Sequence, residues 1–321
     1  MAAGHSHSHS AGHHHHSAAD MSENKIKLSL ILTLSFVVIE LFAGLRSHSL
    51  ALLSDAGHNF TDALALLLSW FAIRIALKPA HEGKTYGYHR VGILTALFNA
   101  LTLLAIAAFI FVEAFHLFQH PQVVEGNLMI WVALIAVFMN TVIAFWLRGE
   151  IAHSVNMRSA FIHMVGDALS AVGVVIAGIV IRFTGWLYAD PLIAVVIGLF
   201  IVYSSWGIVK ETLNVLLEGT PAGLDARAMA LAMQSVPGVL GMHDLHVWTI
   251  GDGVNALSCH ITLDESELKE GRQVVEKVKS LLAHDYAIHH STIETECTGC
   301  ESNSLYCGIQ AQTSRSCGHD H

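Results

Sequence analysis

The 321 residues are 53% hydrophobic and 13% charged, where a soluble domain carries about 25% charged residues. Together with a mean hydropathy of +0.51, this excludes an ordinary soluble domain and points to a chain that crosses a membrane several times. A formal charge of −9 leaves no basic surface to neutralise phosphates, so nucleic acid is excluded as a partner.

The opening "MAAGHSHSHSAGHHHHSAAD" holds His5, His7, His9 and His13 to His16, and it has no apolar run of the kind a secretory signal needs. Two readings stay open for it: a loose metal-capturing tail over residues 1–24, or an expression tag with Met21 as the native start.

Six apolar stretches follow, at about 28–45, 51–73, 91–117, 128–147, 159–181 and 190–209, each near the ~20 residues that cross a bilayer as a helix. Lys25 and Lys27 precede the first, Arg74, Lys78, Lys84 and Arg90 surround the second connection, Arg148 and Arg158 bracket the fourth, and Lys210 follows the sixth. The other connections are poor in basic residues, so the positive-inside rule predicts that both termini are cytoplasmic. Gly57, Gly166, Gly173 and Gly178 are expected to let helices approach closely. Glu40 and Glu113 read as interfacial or interhelical hydrogen-bonding groups near span ends.

From about Leu217 the composition becomes that of a small polar domain. "DARAMALAMQSV" is amphipathic and is closed by Pro237-Gly238. "VLGMHDLHVWTIG" and "VNALSCHITLD" alternate like strands on either side of Asp252-Gly253, a hairpin signal. A helix in "SELKEGRQVVEKVKSLLAHDY" and a strand in "HHSTIETEC" complete an αββαβ order. The predicted fold is thus a membrane all-α bundle of six transmembrane helices over 25–216, an α+β ferredoxin-like cytoplasmic domain over 217–297, and a disordered Cys/His-containing tail over 298–321. All five cysteines lie beyond the spans, where they suggest no disulfide framework and suit a reducing compartment.

The chemistry concentrates in two HxxxD patterns within apolar segments, His58 with Asp62 and His163 with Asp167. Spacing of i, i+4 places each pair on one helix face. Two imidazoles and two carboxylates make one four-ligand shell for a zinc-like cation, and a divalent ion makes that shell formally neutral. Neutrality matters at membrane depth, where an uncompensated charge costs at least about 2.5 kcal/mol. The blander alternative, a histidine hydrogen-bonding its own neighbour, would suffice for one such pattern; two on separate spans favour the metal. A second candidate set lies in the polar domain: His243, His246, His260, His289, His290, Glu296, Cys297 and Cys300. His246 and His290 read as ordinary surface or strand-pairing residues, and His81, Glu82 and His89 in the second connection as solvated loop residues.

"SLALLSDAGHNFTDALALL" at 49–67 and "AFIHMVGDALSAVGVVIAG" at 160–178 resemble the second and fifth spans of the cation diffusion facilitator transporters. "TYGYHRVGILTALFNA", "YADPLIAVVIGLFIVYSSW", "LLEGTP" and "HDLHVWTI" are similar to further motifs of its zinc-transporting branch, in family order over about 25–297. The resemblance implies a homodimer that expels Zn²⁺ from the cytoplasm in exchange for protons, with His58, Asp62, His163 and Asp167 as the transport site. It favours His243, His260 and His289 as metal ligands of the cytoplasmic domain, with Glu296 and the Cys297-x-x-Cys300 pair similar to the ending of animal zinc transporters. The short fourth connection, without a histidine-rich insertion, favours a bacterial inner membrane. Ligand chemistry alone also couples metal to protons, because both compete for the same imidazoles and carboxylates. An intramembrane metalloenzyme is the competing reading, but four protein ligands would close the shell against a catalytic water, and no HExxH falls in a span. A passive metal channel or a sensor is the third.

Overall fold

The computed structural model describes residues 31, 34–148, 155–251, 253–263, 271–296 and 305. The predicted tail 1–24 and Cys297, Cys300, Cys307 and Cys317 lie outside the described residues. The chain divides into two compact units, Met1–Leu68 with Asn99–Trp206 and Ser69–Phe98 with Gly207–His321.

Helix α1 has residues 31 and 34–47 described; it is followed by α2 (Leu50–Ala76), α3 (Arg90–Gln119), α4 (Gly126–Arg148), α5 (Val155–Thr184) and α6 (Ala189–Leu216). Among the described residues, five helices, α2 to α6, are long and apolar enough to cross a membrane; the expected first span begins outside the described residues. Large apolar side chains such as Phe42, Phe109, Trp131, Phe145 and Phe183 point outward, as they do on helices solvated by lipid. Alanine is the commonest residue of the buried core, as at Ala51, Ala107, Ala114, Ala136, Ala171, Ala177 and Ala194, which lets the helices pack closely. The tightest approach is at Gly178, where an added Cβ would stand 2.7 Å from Ile130 Cγ1 and 3.4 Å from the Gly126 carbonyl oxygen. Gly57, Gly166 and Gly173 sit instead at ordinary contact distances, 3.6, 3.6 and 3.7 Å from their nearest neighbours.

The start of α2 is fixed by another helix. His48 takes a positive φ of 55° and turns the chain out of α1. Ser49 then caps α2, its Oγ accepting from the Leu52 amide at 3.2 Å and donating to Asp190 Oδ1 at 2.5 Å. Asp190, in the first turn of α6 and fully buried, also accepts the Leu50 amide at 2.7 Å and the Ala51 amide at 3.2 Å. One carboxylate thereby satisfies donors that a helix start leaves open, and its charge complements the positive end of the α2 dipole.

In the second unit, α7 (Ala226–Gln234), β1 (Val239–Gly251), β2 (Val254–Leu263), α8 (Gly271–Asp285) and β3 (His290–Glu296) reproduce the αββαβ order read from the sequence. The sheet runs β1-β2-β3, with β1 antiparallel and β3 parallel to β2. Gly251 pairs with Val254 across the expected two-residue turn, and Gly253 supplies its positive φ of 69°. Asp225 caps α7 through the amides of Arg227 and Ala228. Met229 and Met233 of α7 and Val274, Val278 and Leu282 of α8 pack with Leu245, Val247, Leu257, Cys259 and Ile261 of the sheet in one core. Leu305 lies in the tail expected to be disordered, but its side chain packs against that core and its carbonyl accepts the Leu245 amide at 3.1 Å.

Replacing Asp190 by alanine is expected to lower the stability of the detergent-purified protein by about 2 kcal/mol, since it leaves buried donors at the α2 start unsatisfied. Asp190→Asn, which keeps one acceptor oxygen, is expected to fall between the two. Denaturation curves of the three proteins measure this, and superimposable curves would contradict it.

Candidate metal centres

Helix α2 carries His58 and Asp62 one turn apart, and α5 brings Asp167 to face them. His58 Nε2 lies 3.4 Å from Asp62 Oδ2 and 3.5 Å from Asp167 Oδ1. One ligand atom from each of the three residues falls within 4.8 Å of the others. Tetrahedral ligands held ~2.05 Å from a zinc ion stand about 3.4 Å from one another, so both distances match an edge of that polyhedron. His58 and Asp167 are 5% and 2% exposed, and such burial of a carboxylate beside an imidazole calls for a compensating cation. His163, the fourth expected ligand, lies in α5 one turn before Asp167; its side chain is outside the described residues.

The same region holds two further buried acids, Glu40, expected near a span end, and Asp55. Glu40 is fully buried, not interfacial, and accepts from Asn59 Nδ2 at 3.1 Å. The interhelical role expected for it therefore holds, while the position near a lipid interface does not. Asp55, one turn before His58, is buried as well. No periodicity separates such carboxylates from those at a membrane surface, because depth depends on which helix covers them.

The second centre is assembled by strand register. His243 pairs with His260 across β1 and β2, and their rings stand 5.1 Å apart. Parallel pairing sets Glu294 beside His260 and Glu296 beside Thr262. Glu296 then reaches back diagonally, its Oε1 2.7 Å from His260 Nδ1 and its Oε2 3.4 Å from His243 Nε2. His243, His260 and Glu296 form the second cluster whose ligand atoms lie within 4.8 Å of one another among the described residues. His243 is 5% exposed and its Nε2 has no hydrogen-bond partner among them, which is costly for a buried nitrogen and would be relieved by a bound cation.

A bulge decides which side chains line this face. The register slips between His243 and His246, where Asp244 takes a positive φ of 52°. Met242 before the slip and Leu245 and Val247 after it are all buried in the core, so the inward parity changes at the bulge and His243 and His246 share the outer face. The Leu245 amide, displaced from the ladder, is the one that Leu305 satisfies. His246 bonds Asp244 at 3.2 Å, which agrees with the structural role expected for it.

His289, expected in the same set, does not join it. It is exposed just before β3, next to His290, which pairs with Ala256. Four residues of β2 separate Ala256 from His260, about 13 Å at the rise of a strand. Cys297 follows Glu296 directly, but it and Cys300 lie outside the described residues. In the second connection His81 Nε2 and the Tyr88 hydroxyl are 3.1 Å apart and the Gly83 amide donates to His81 Nδ1, contacts that organise a turn.

The cation efflux transmembrane domain matches residues 26–217, and the cytoplasmic domain of cation efflux proteins matches residues 221–297. The chain belongs to the cation efflux family, the cation diffusion facilitators, whose members are membrane transporters of metal cations. A cadmium, cobalt and zinc/H(+)-K(+) antiporter of Bacillus velezensis is 34% identical over 298 residues, 91% of this chain and 94% of that protein. The zinc transporter ZitB of Escherichia coli is 33% identical over 292 residues, 90% of each. Among solved structures, the metal-bound C-terminal domain of the CzcD transporter from Cupriavidus metallidurans covers 23% of this chain and 99% of its own, with 32% identity and a TM-score of 0.22.

Cys259 takes no part in either cluster. It is buried on the core face of β2, and burial pushes its thiol up to about 12, so it stays protonated at any pH near neutrality. Native protein at pH 8 is expected to leave the Cys259 peptide unmodified by iodoacetamide, with full modification after denaturation. Rapid alkylation of Cys259 in the native protein, read by peptide mass mapping, would contradict this.

Proposed function

We propose that this chain exports Zn²⁺ from the cytoplasm in exchange for protons, through a transport site formed by His58, Asp62, His163 and Asp167. The observation that carries the reading is the edge length of the His58–Asp62–Asp167 group, 3.4 and 3.5 Å, inside a bundle of apolar helices. Imidazole with carboxylate suits zinc and its neighbours in the first transition row, whereas Ca²⁺ and Mg²⁺ take oxygen alone. The zinc transporter and the cadmium, cobalt and zinc antiporter named among the relatives point the same way.

Proton exchange follows from the donor set. Zinc binds neutral imidazole and ionised carboxylate, so loading releases protons and an acidic far side favours unloading. A site near the middle of the bundle serves two states, one open to each side of the membrane. The protein works as a homodimer in a bacterial inner membrane, with both termini and the αββαβ domain in the cytoplasm. In that domain His243, His260 and Glu296 hold a resident zinc, with Cys297 and Cys300 next in the chain to complete its shell. When bound, such an ion ties β1, β2 and β3 together.

Proteoliposomes with an acidic lumen test the transport reading. Wild-type protein is expected to accumulate zinc, and Asp62→Ala and Asp167→Ala to lose more than about tenfold of that flux. Undiminished flux in both variants would sink the proposed site. For the cytoplasmic ion, His260→Ala is expected to remove about one zinc per chain and to abolish zinc-dependent thermal stabilisation, without altering the melting curve in chelator. A full zinc complement in His260→Ala would refute that site.

A further inference from the structure

The transport centre leaves two buried acids without a task. Glu40 on α1 is fully buried, and Asp55 on α2 is 1% exposed. Asp55 lies within hydrogen-bonding reach of Glu40. Asn59 secures one Glu40 oxygen, Oε2, at 3.1 Å. The other, Oε1, and Asp55 Oδ1 are buried and receive no hydrogen bond from any described donor. Two carboxylates facing each other in a buried site cannot both be ionised unless a cation lies near. A single proton shared between them turns two orphaned acceptors into one strong hydrogen bond. The titratable groups facing the pair are His58 and Asp62 on α2 and Asp167 on α5, three residues of the metal centre, so the charge on that centre sets the cost of ionising the pair.

We propose that Glu40 and Asp55 form a proton-binding site beside the metal centre, holding one exchangeable proton that leaves when the divalent ion arrives and returns when it departs. The inference rests on the His58–Asp62–Asp167 centre being the transport site. With the centre empty, Glu40 is the acid and donates to ionised Asp55, and the pair carries a charge of −1. A divalent ion at the centre adds two positive charges nearby. The Glu40 O–H bond then breaks, its proton passes to water, and both carboxylates remain ionised as counter-charges. On unloading Glu40 takes a proton back from water, and no other bond changes. The proton thus moves against the metal, although neither carboxylate is a metal ligand.

Glu40→Gln separates this role from a packing role. Its amide can still donate to Asp55 and accept from Asn59, but it has no proton to exchange. Calorimetric titration of the full-length protein with zinc, in buffers of different ionisation enthalpy, counts the protons released per zinc bound. The variant is expected to bind as much zinc per chain as wild type while releasing about one proton fewer per ion. Asp55→Asn, the second variant should Glu40→Gln not fold, is expected to show the same deficit. Zinc binding with a wild-type proton count would overturn the proposal, and so would loss of zinc and protons in equal proportion, which a packing role alone produces. Failure of the underlying transport-site reading shows separately, as undiminished zinc binding and proton release in Asp62→Ala and Asp167→Ala.

Discussion

The helical bundle answers to one constraint: negative charge buried among apolar helices. Glu40, Asp55 and Asp167 are all nearly or fully buried, and Asp62 is close by. Among the described residues, no arginine or lysine is buried to balance them. Such a set persists in an apolar bundle only if mobile cations supply the balance. Under the proposed function, a divalent ion at the His58 centre and a proton at the Glu40 pair would be two cations of that kind. Their exchange is then a property of the charge arrangement and needs no separate coupling device. The fixed buried carboxylate, Asp190, is handled differently: helix amides and a serine hydroxyl surround it, so it needs no ion and can serve as an anchor.

The αββαβ domain gathers its candidate metal ligands by different means. Antiparallel register sets two imidazoles side by side, and the parallel third strand delivers a glutamate diagonally to both. A single bulge at Asp244 lets the same strand keep its core contacts while turning His243 outward. The cost of that bulge, a displaced amide at Leu245, is met by a carbonyl from beyond β3. Leu305 is thus tied to the strand that carries His243.

Much of this was legible in the residue order. Apolar runs of span length and the Asp-Gly turn each report a local preference, and local preferences survive into the fold. The HxxxD spacing was equally readable, because a helix converts i, i+4 into a shared face. What escaped depended on contacts distant in sequence. Asp190 as the cap of α2 joins positions 140 residues apart. The burial of Glu40 depends on α2 covering it, and parity arguments for the strands stop working at Asp244, where one extra residue reverses the faces. The position of His289 follows from the register of a parallel pair, which spacing along one strand does not contain.

The most direct test of the account is the position of the ion itself. Anomalous scattering at the zinc edge, from crystals of the full chain grown with zinc, locates it without reference to activity. The account expects a peak within the bundle, about 2.0–2.2 Å from ligand atoms of His58, Asp62, His163 and Asp167. A zinc-loaded protein whose bundle shows no peak between α2 and α5, or one held by other side chains, would contradict it.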